Sequence, residues 1–142
     1  MLYLDTSVLV PLFVPEPESD SVRAWFAAHG LEALAISDWT LTEFASAMEI
    51  KVRDKGLKAS QAKRACSLME KLAQESFKVF TPTRMDFRKA SEQLRDHAVG
   101  LRAGDALHLA IAQNQCVDCL YTMDQRLIKA SHKLQCKAAT PI

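Results

Sequence analysis

Leu2-Tyr3-Leu4-Asp5-Thr6-Ser7-Val8-Leu9 is the stretch on which the reading of this chain turns. Three apolar residues stop abruptly at a carboxylate, and a run that short with no polar face reads as a buried strand. Thr6 and Ser7 then offer hydroxyls that can cap a helix continuing to Val14. The segment is therefore a strand that passes directly into a helix, with an acid at the junction.

The same alternation continues outward. Pro15 and Pro17 make a turn, and a helix from Glu18 to His29, with Val22, Trp25 and Phe26 on one face, is stopped by Gly30. Leu34-Ala35-Ile36 reads as a second strand. Leu41, Phe44, Ala45, Met48 and Val52 recur at helical spacing between Thr40 and Lys55, and Gly56 closes that helix. Ser60 can cap a long partner helix reaching Gln74. Phe77-Lys78-Val79-Phe80 follows as a strand, and Pro82 opens a helix through Ala98 that ends before Gly100. An apolar helix over Asp105–Gln113, a strand at Leu120-Tyr121-Thr122, a helix over Gln125–Lys133 and a weak edge strand at Lys137-Ala138-Ala139 complete the pattern. Strands alternating with helices predict a parallel sheet covered by helices, with helix outweighing strand. In such sheets, sites form beyond the carboxyl ends of the strands, where the connections diverge.

Composition narrows the function classes. The 142 residues suit one domain spanning 1–142, and 49% hydrophobic with 25% charged residues suits a soluble globular core. No apolar run is long enough to cross a bilayer, and the start lacks a basic segment followed by a long apolar stretch, so a cytoplasmic protein is expected. Lys and Arg total 18 against 17 Asp and Glu, a formal charge of +1, so net charge neither supports nor excludes a nucleic-acid substrate. Six cations do crowd one stretch, Lys51, Arg53, Lys55, Lys58, Lys63 and Arg64. They read either as a solvated helical hairpin or as a phosphate-facing surface.

Four acids share one predicted rim of the sheet. Asp5 and Asp124 follow strands, Glu43 begins the helix after the second strand, and Asp105 begins the helix before Leu120. Each has an ordinary alternative: Asp5 and Asp124 as helix caps, Asp105 as a favourable charge at a helix start, and Glu43 in a capping box Thr40-Leu41-Thr42-Glu43. Gathered together they repel one another unless some protonate or a cation compensates. Oxygen ligands without supporting His or Cys favour Mg²⁺ or Mn²⁺ over zinc.

These residues resemble a known family. Leu4-Asp5-Thr6-Ser7-Val8-Leu9, Thr42-Glu43, Arg102-Ala103-Gly104-Asp105-Ala106-Leu107-His108-Leu109-Ala110 and Thr122-Met123-Asp124 are similar, in order and across nearly the whole chain, to the motifs of PIN-domain proteins. They resemble in particular those of the VapC ribonuclease toxins of bacterial toxin–antitoxin pairs. The resemblance implies a three-layer α/β/α domain with a short parallel central sheet. It also implies a Mg²⁺-dependent endoribonuclease, with Mn²⁺ as the other candidate cation, that hydrolyses RNA in line to leave a 5′-phosphate and a 3′-hydroxyl. Asp5, Asp105 and Asp124 fall on the family's ligand positions, Glu43 on the one that completes the shell or orients water, and Thr6 or Ser7 and Thr122 on supporting hydroxyls. A VapB-like antitoxin covering the site and a homodimer are the implied partners. Arg102 can hold an RNA phosphate or pair with a neighbouring carboxylate.

Other signals have plainer readings. Cys116-x₂-Cys119-x₁₂-His132-x₃-Cys136 has zinc-finger spacing, but zinc would require Leu120–Asp124 to abandon its strand-to-acid arrangement. Buried reduced thiols, Cys66 included, are the expectation. His108, inside Leu107-His108-Leu109-Ala110-Ile111, reads as a packed histidine rather than a base. Trp25, Phe26 and Trp39 read as core rather than base-stacking residues. Two other function classes remain. A phosphotransfer domain fits poorly, since Ser7 stands where a dehalogenase-like site wants its second acid and Thr81-Pro82-Thr83 where a receiver wants its phosphoacceptor. A non-catalytic PIN-fold RNA-binding module is the third reading.

Overall fold

The computed structural model describes residues 1–142. Five parallel strands form one sheet: β1 (Leu2–Leu4), β2 (Leu34–Ser37), β3 (Lys78–Phe80), β4 (Cys119–Tyr121) and β5 (Ala138–Ala139), in the order β3-β2-β1-β4-β5. Seven α-helices cover it: α1 (Thr6–Phe13), α2 (Ser19–Ala28), α3 (Asp38–Arg53), α4 (Ala59–Ser76), α5 (Arg84–Leu94), α6 (Ala103–Asn114) and α7 (Gln125–Lys133). The expected three-layer α/β/α arrangement is present.

Side-chain alternation along the strands builds two cores. Leu4, Leu34 and Ile36 point to one face, where they meet Val8, Leu9, Phe44, Met48 and Met69 from α1, α3 and α4. Tyr3, Ala35, Phe80 and Leu120 point to the other, against Leu107, Leu109, Ile111 and Leu127 from α6 and α7. Both faces are covered, which is why all four residues of β2 are buried. Trp25 and Phe26 pack against the first core and Trp39 against the second, as the sequence suggested. No helix is long and apolar enough to cross a membrane.

The chain leaves β1, adds β2 and β3 on one side, and returns to place β4 on the other side of β1. The connections thus diverge at the carboxyl end of β1, the position at which such sheets form sites. Helices in these crossovers run against their strands. The start of α3, which follows β2, and the start of α6, which precedes β4, therefore lie at that same rim.

Several helix starts differ from expectation. Asp5, not Thr6 or Ser7, is the N-cap of α1: its carboxylate accepts from the Ser7 N–H. Helix α3 begins at Asp38, and its capping box pairs Ser37 with Thr40 rather than Thr40 with Glu43, because β2 passes straight into the helix without a loop. Lys58 precedes α4 in place of Ser60. Helix α5 starts after the Thr83 N-cap and stops at Leu94, well short of Ala98, where the Asp96 carboxylate captures the Ala98 N–H and makes a turn. The cation-rich stretch does form the α3–α4 hairpin; Lys51 pairs with Glu16, and Arg53, Lys55, Lys58, Lys63 and Arg64 are exposed.

Candidate metal centre

A pit of about 330 Å³ opens at the switch point, and Asp5, Glu43, Asp105 and Asp124 all line it, with Thr6, Ser7 and Arg102 between them. Each acid arrives on a different element: Asp5 at the end of β1, Glu43 in the second turn of α3, Asp105 in the first turn of α6, and Asp124 after β4.

Asp5 is the most buried of the four and the most tightly held. The Ser7 N–H and hydroxyl donate to its Oδ1 at 2.9 and 2.5 Å, and the Thr122 hydroxyl donates to Oδ2 at 2.6 Å. Burial nevertheless pushes its pKa above the ordinary aspartate value, against the charge of His108 and these hydrogen bonds. Thr122 Oγ1 in turn accepts from the Asp124 N–H at 3.0 Å, so one hydroxyl couples the two acids that flank β1 and β4. Asp124 caps α7 by accepting from the Arg126 N–H at 2.8 Å. Asp5 and Asp124 thus cap their helices with the same carboxylates that line the pit.

Asp105 is raised by burial first, then by the negative charges of Asp124 and Asp5, with Arg102 pulling the other way. The Arg102 guanidinium stands 3.8 Å from both Asp105 and Asp124, mostly exposed, so the pair interaction itself is weak. Glu43 takes no part in capping. Its Oε2 accepts from the Thr6 hydroxyl at 2.7 Å and meets His108 Nε2 at 2.5 Å. Burial raises it, but the hydrogen bond and charge of His108 and the bond from Thr6 more than offset this, leaving Glu43 below the ordinary value.

The donor set is all oxygen, from four carboxylates and their neighbouring hydroxyls, and the mutual repulsion felt by Asp105 is what a hard divalent cation relieves. As they stand, no three His, Cys, Asp or Glu side chains close round a common point, so the carboxylates would swing inward to hold an ion. The residues present fit Mg²⁺ or Mn²⁺. The cysteine motif does not converge in this way: Cys116 and Cys136 border one cavity without Cys119 or His132, whose imidazole lies 2.9 Å from the Ala138 carbonyl. Of the four free thiols only Cys119 and Cys136 are buried as expected, Cys66 being half-buried and Cys116 exposed.

All eight sequence-nominated residues meet here: Thr6, Ser7 and Arg102 border the pit with the acids, and Thr122 binds Asp5 from behind. His108 is packed, 1% exposed, but it also reaches Glu43, a link sequence reasoning missed. The available signal was its place one turn after Asp105, on the same face of α6. Tyr3, buried and with its phenol pKa raised chiefly by that burial, was read only as core.

Fold and site together define an α/β domain with an acidic pit at its topological switch point. The chain belongs to the PIN domain family, whose model matches residues 2–133. No curated protein matches it in sequence. Among solved structures it is similar to FitAcB from Neisseria gonorrhoeae (18% identity, TM-score 0.72, covering 99% of this chain and 98% of that one). It is also similar to VapC20 from Mycobacterium tuberculosis, a sarcin–ricin-loop-cleaving toxin (16%, TM-score 0.74, 92% and 95%), and to VapBC2 from Rickettsia felis bound to a promoter DNA fragment (20%, TM-score 0.68, 99% and 98%).

Proposed function

We propose that this protein is a Mg²⁺- or Mn²⁺-dependent endoribonuclease, acting in the cytoplasm as the toxin of a VapBC-type pair. One observation carries the reading: four carboxylates from four separate elements line a single pit at the switch point of a PIN fold. The toxin role is supported by the RNA-cleaving description of the similar VapC20 and by the toxin–antitoxin assemblies among the other similar structures. A VapB-like antitoxin and a second copy of the chain are the proposed protein partners.

Asp5, Asp105 and Asp124 would hold the cation, with Asp5 already fixed by Ser7 and Thr122 and the other two facing it across the pit. The chemistry such a cation supplies is polarisation of the scissile phosphate and easier deprotonation of the attacking water. Glu43 has Oε2 committed to Thr6 and His108, which leaves Oε1 to accept a hydrogen bond from that water and orient it in line with the phosphorus. Arg102, mostly exposed at the mouth, exchanges its two carboxylate partners for an RNA phosphate.

The test incubates wild type, Asp5→Asn and Asp105→Asn with total cellular RNA, with Mg²⁺ and with chelator. Discrete cleavage leaving 5′-phosphates is expected from wild type alone, with each variant down by at least about 100-fold. Equal cutting by all samples would assign the activity to a contaminant. RNA binding without cutting would instead favour the non-catalytic module.

A further inference from the structure

Glu43 sits in the second turn of α3, outside any capping role, and is held from other elements instead. Its strongest tether, His108, is buried, and the other ring nitrogen, Nδ1, lies 2.8 Å from the Tyr3 hydroxyl. That hydroxyl is in turn 2.8 Å from Ser37 Oγ. An ionised carboxylate can only accept, so Nε2 carries a proton. Nδ1 stays bonded to the Tyr3 oxygen in either charge state, accepting from the O–H when the ring is neutral and donating to the oxygen when it is an imidazolium. The hydrogen-bonded chain runs from Ser37 on β2 through Tyr3 on β1 and His108 on α6 to Glu43. Buried polar groups are costly unless satisfied, and an apolar residue would fill the Tyr3 or His108 position without that cost.

Gly104 adds an independent observation. It is the second residue of α6, with no left-handed backbone to demand glycine. A β-carbon at this position would fall 2.6 Å from Glu43 Oε1, closer than real contacts allow, and 3.4 Å from the Trp39 ring. A side chain here would therefore push the tip of Glu43 away from the place where Thr6 and His108 hold it.

We infer that Tyr3, His108 and Gly104 are positioning residues for Glu43: the first two fix Oε2, and the third keeps the space that Oε1 occupies against α6. Resting on the proposed role of Glu43, this extends the site beyond its acids to a buried relay and a missing side chain.

Imidazole ¹⁵N spectra of wild type, Tyr3→Phe and Gly104→Ala, recorded without metal or RNA, give the first test. A proton on His108 Nε2 is expected in wild type, with its signal displaced in both variants. A ring protonated only at Nδ1, or a signal unmoved by Gly104→Ala, would overturn the inference. Cleavage kinetics give the second. Gly104→Ala should remain cooperatively folded yet lose at least about tenfold in kcat, with KM changed less than about threefold. His108→Gln, whose amide nitrogen can still donate toward Glu43, should retain several-fold more kcat than His108→Leu. Wild-type kcat in Gly104→Ala, or equal loss in the two His108 variants, sinks the positioning role. A wild type that cuts no RNA removes the ribonuclease reading instead and leaves the spectra to decide the relay.

Discussion

At the residue scale, Asp5 and Asp124 each serve two ends with one carboxylate. Both cap a helix and both face the pit, and the cap fixes the side chain for the site. Asp105 has no such compensation. Its pKa is raised by burial and by the charges of Asp124 and Asp5, so its ionisation opposes folding when no cation is bound. The stability associated with its protonated form is complete below the unfolded aspartate pKa and is lost as pH rises through the elevated folded value. Asp105→Asn removes that loss. In chelator, urea melts should therefore show the variant gaining on wild type as pH is raised from the acid side to neutrality, although the variant is expected to cut no RNA. A stability gap independent of pH would mean that neither burial nor the neighbouring acids oppose ionisation of Asp105. Sites that trade stability for activity in this way are common.

At the element scale, the placing of α3 and α6 matters more than their ends. Ser37 and Thr40 share the capping box, which releases Glu43 to the interior of the site. A hydroxyl and an acid three residues apart suggested a box at Thr40 and Glu43, but the box forms three residues earlier, between Ser37 and Thr40. Local pattern does not choose between them; the direct passage of β2 into α3 does. Helix α5 is fixed more firmly than its surface character suggests. Buried Asp86 accepts from the Thr83 N–H at 2.7 Å and from the Asn114 amide at 2.7 Å, tying the start of α5 to the end of α6. Asp86→Ala orphans both donors and should cost about 2 kcal/mol in urea melts. RNA cleavage should survive, because α5 does not line the pit. A loss below about 0.5 kcal/mol would show the box to be replaceable by water.

At the scale of the whole molecule, the acidic pit joins α1, α3 and α6 to the ends of β1 and β4, so a cation bound there links both helical layers through the sheet. Binding at tenfold above the dissociation constant would add about 1.4 kcal/mol to unfolding. Mg²⁺ or Mn²⁺ should accordingly raise the wild-type melting temperature by a few degrees. The increment should vanish in Asp5→Asn and Asp105→Asn. Equal shifts in wild type and variants would place the cation elsewhere. The toxin role is tested in cells: induction of wild type should arrest growth, Asp5→Asn should not, and co-expression of the cognate antitoxin should restore growth.

The amino-acid sequence by itself determined the alternation of strands and helices, the two-sided burial of the sheet and the acids at the strand and helix starts. These follow from apolar runs and turn residues that act within a few positions of one another. Asp5, Asp105 and Asp124 stood out for that reason, whereas the hydroxyls of Thr6, Ser7 and Thr122 beside them were marked only by the family resemblance. Only the tertiary structure decided that Glu43 lines the pit, held there by partners, rather than capping its own helix. Its tethers lie 37 and 65 residues away, at Thr6 and His108, and the Tyr3 that steadies His108 is 105 residues from it. The empty space at Gly104 likewise has meaning only against Glu43 on another helix. Contacts at that separation exist once the sheet has brought β1, α3 and α6 to one rim, and no local pattern encodes them.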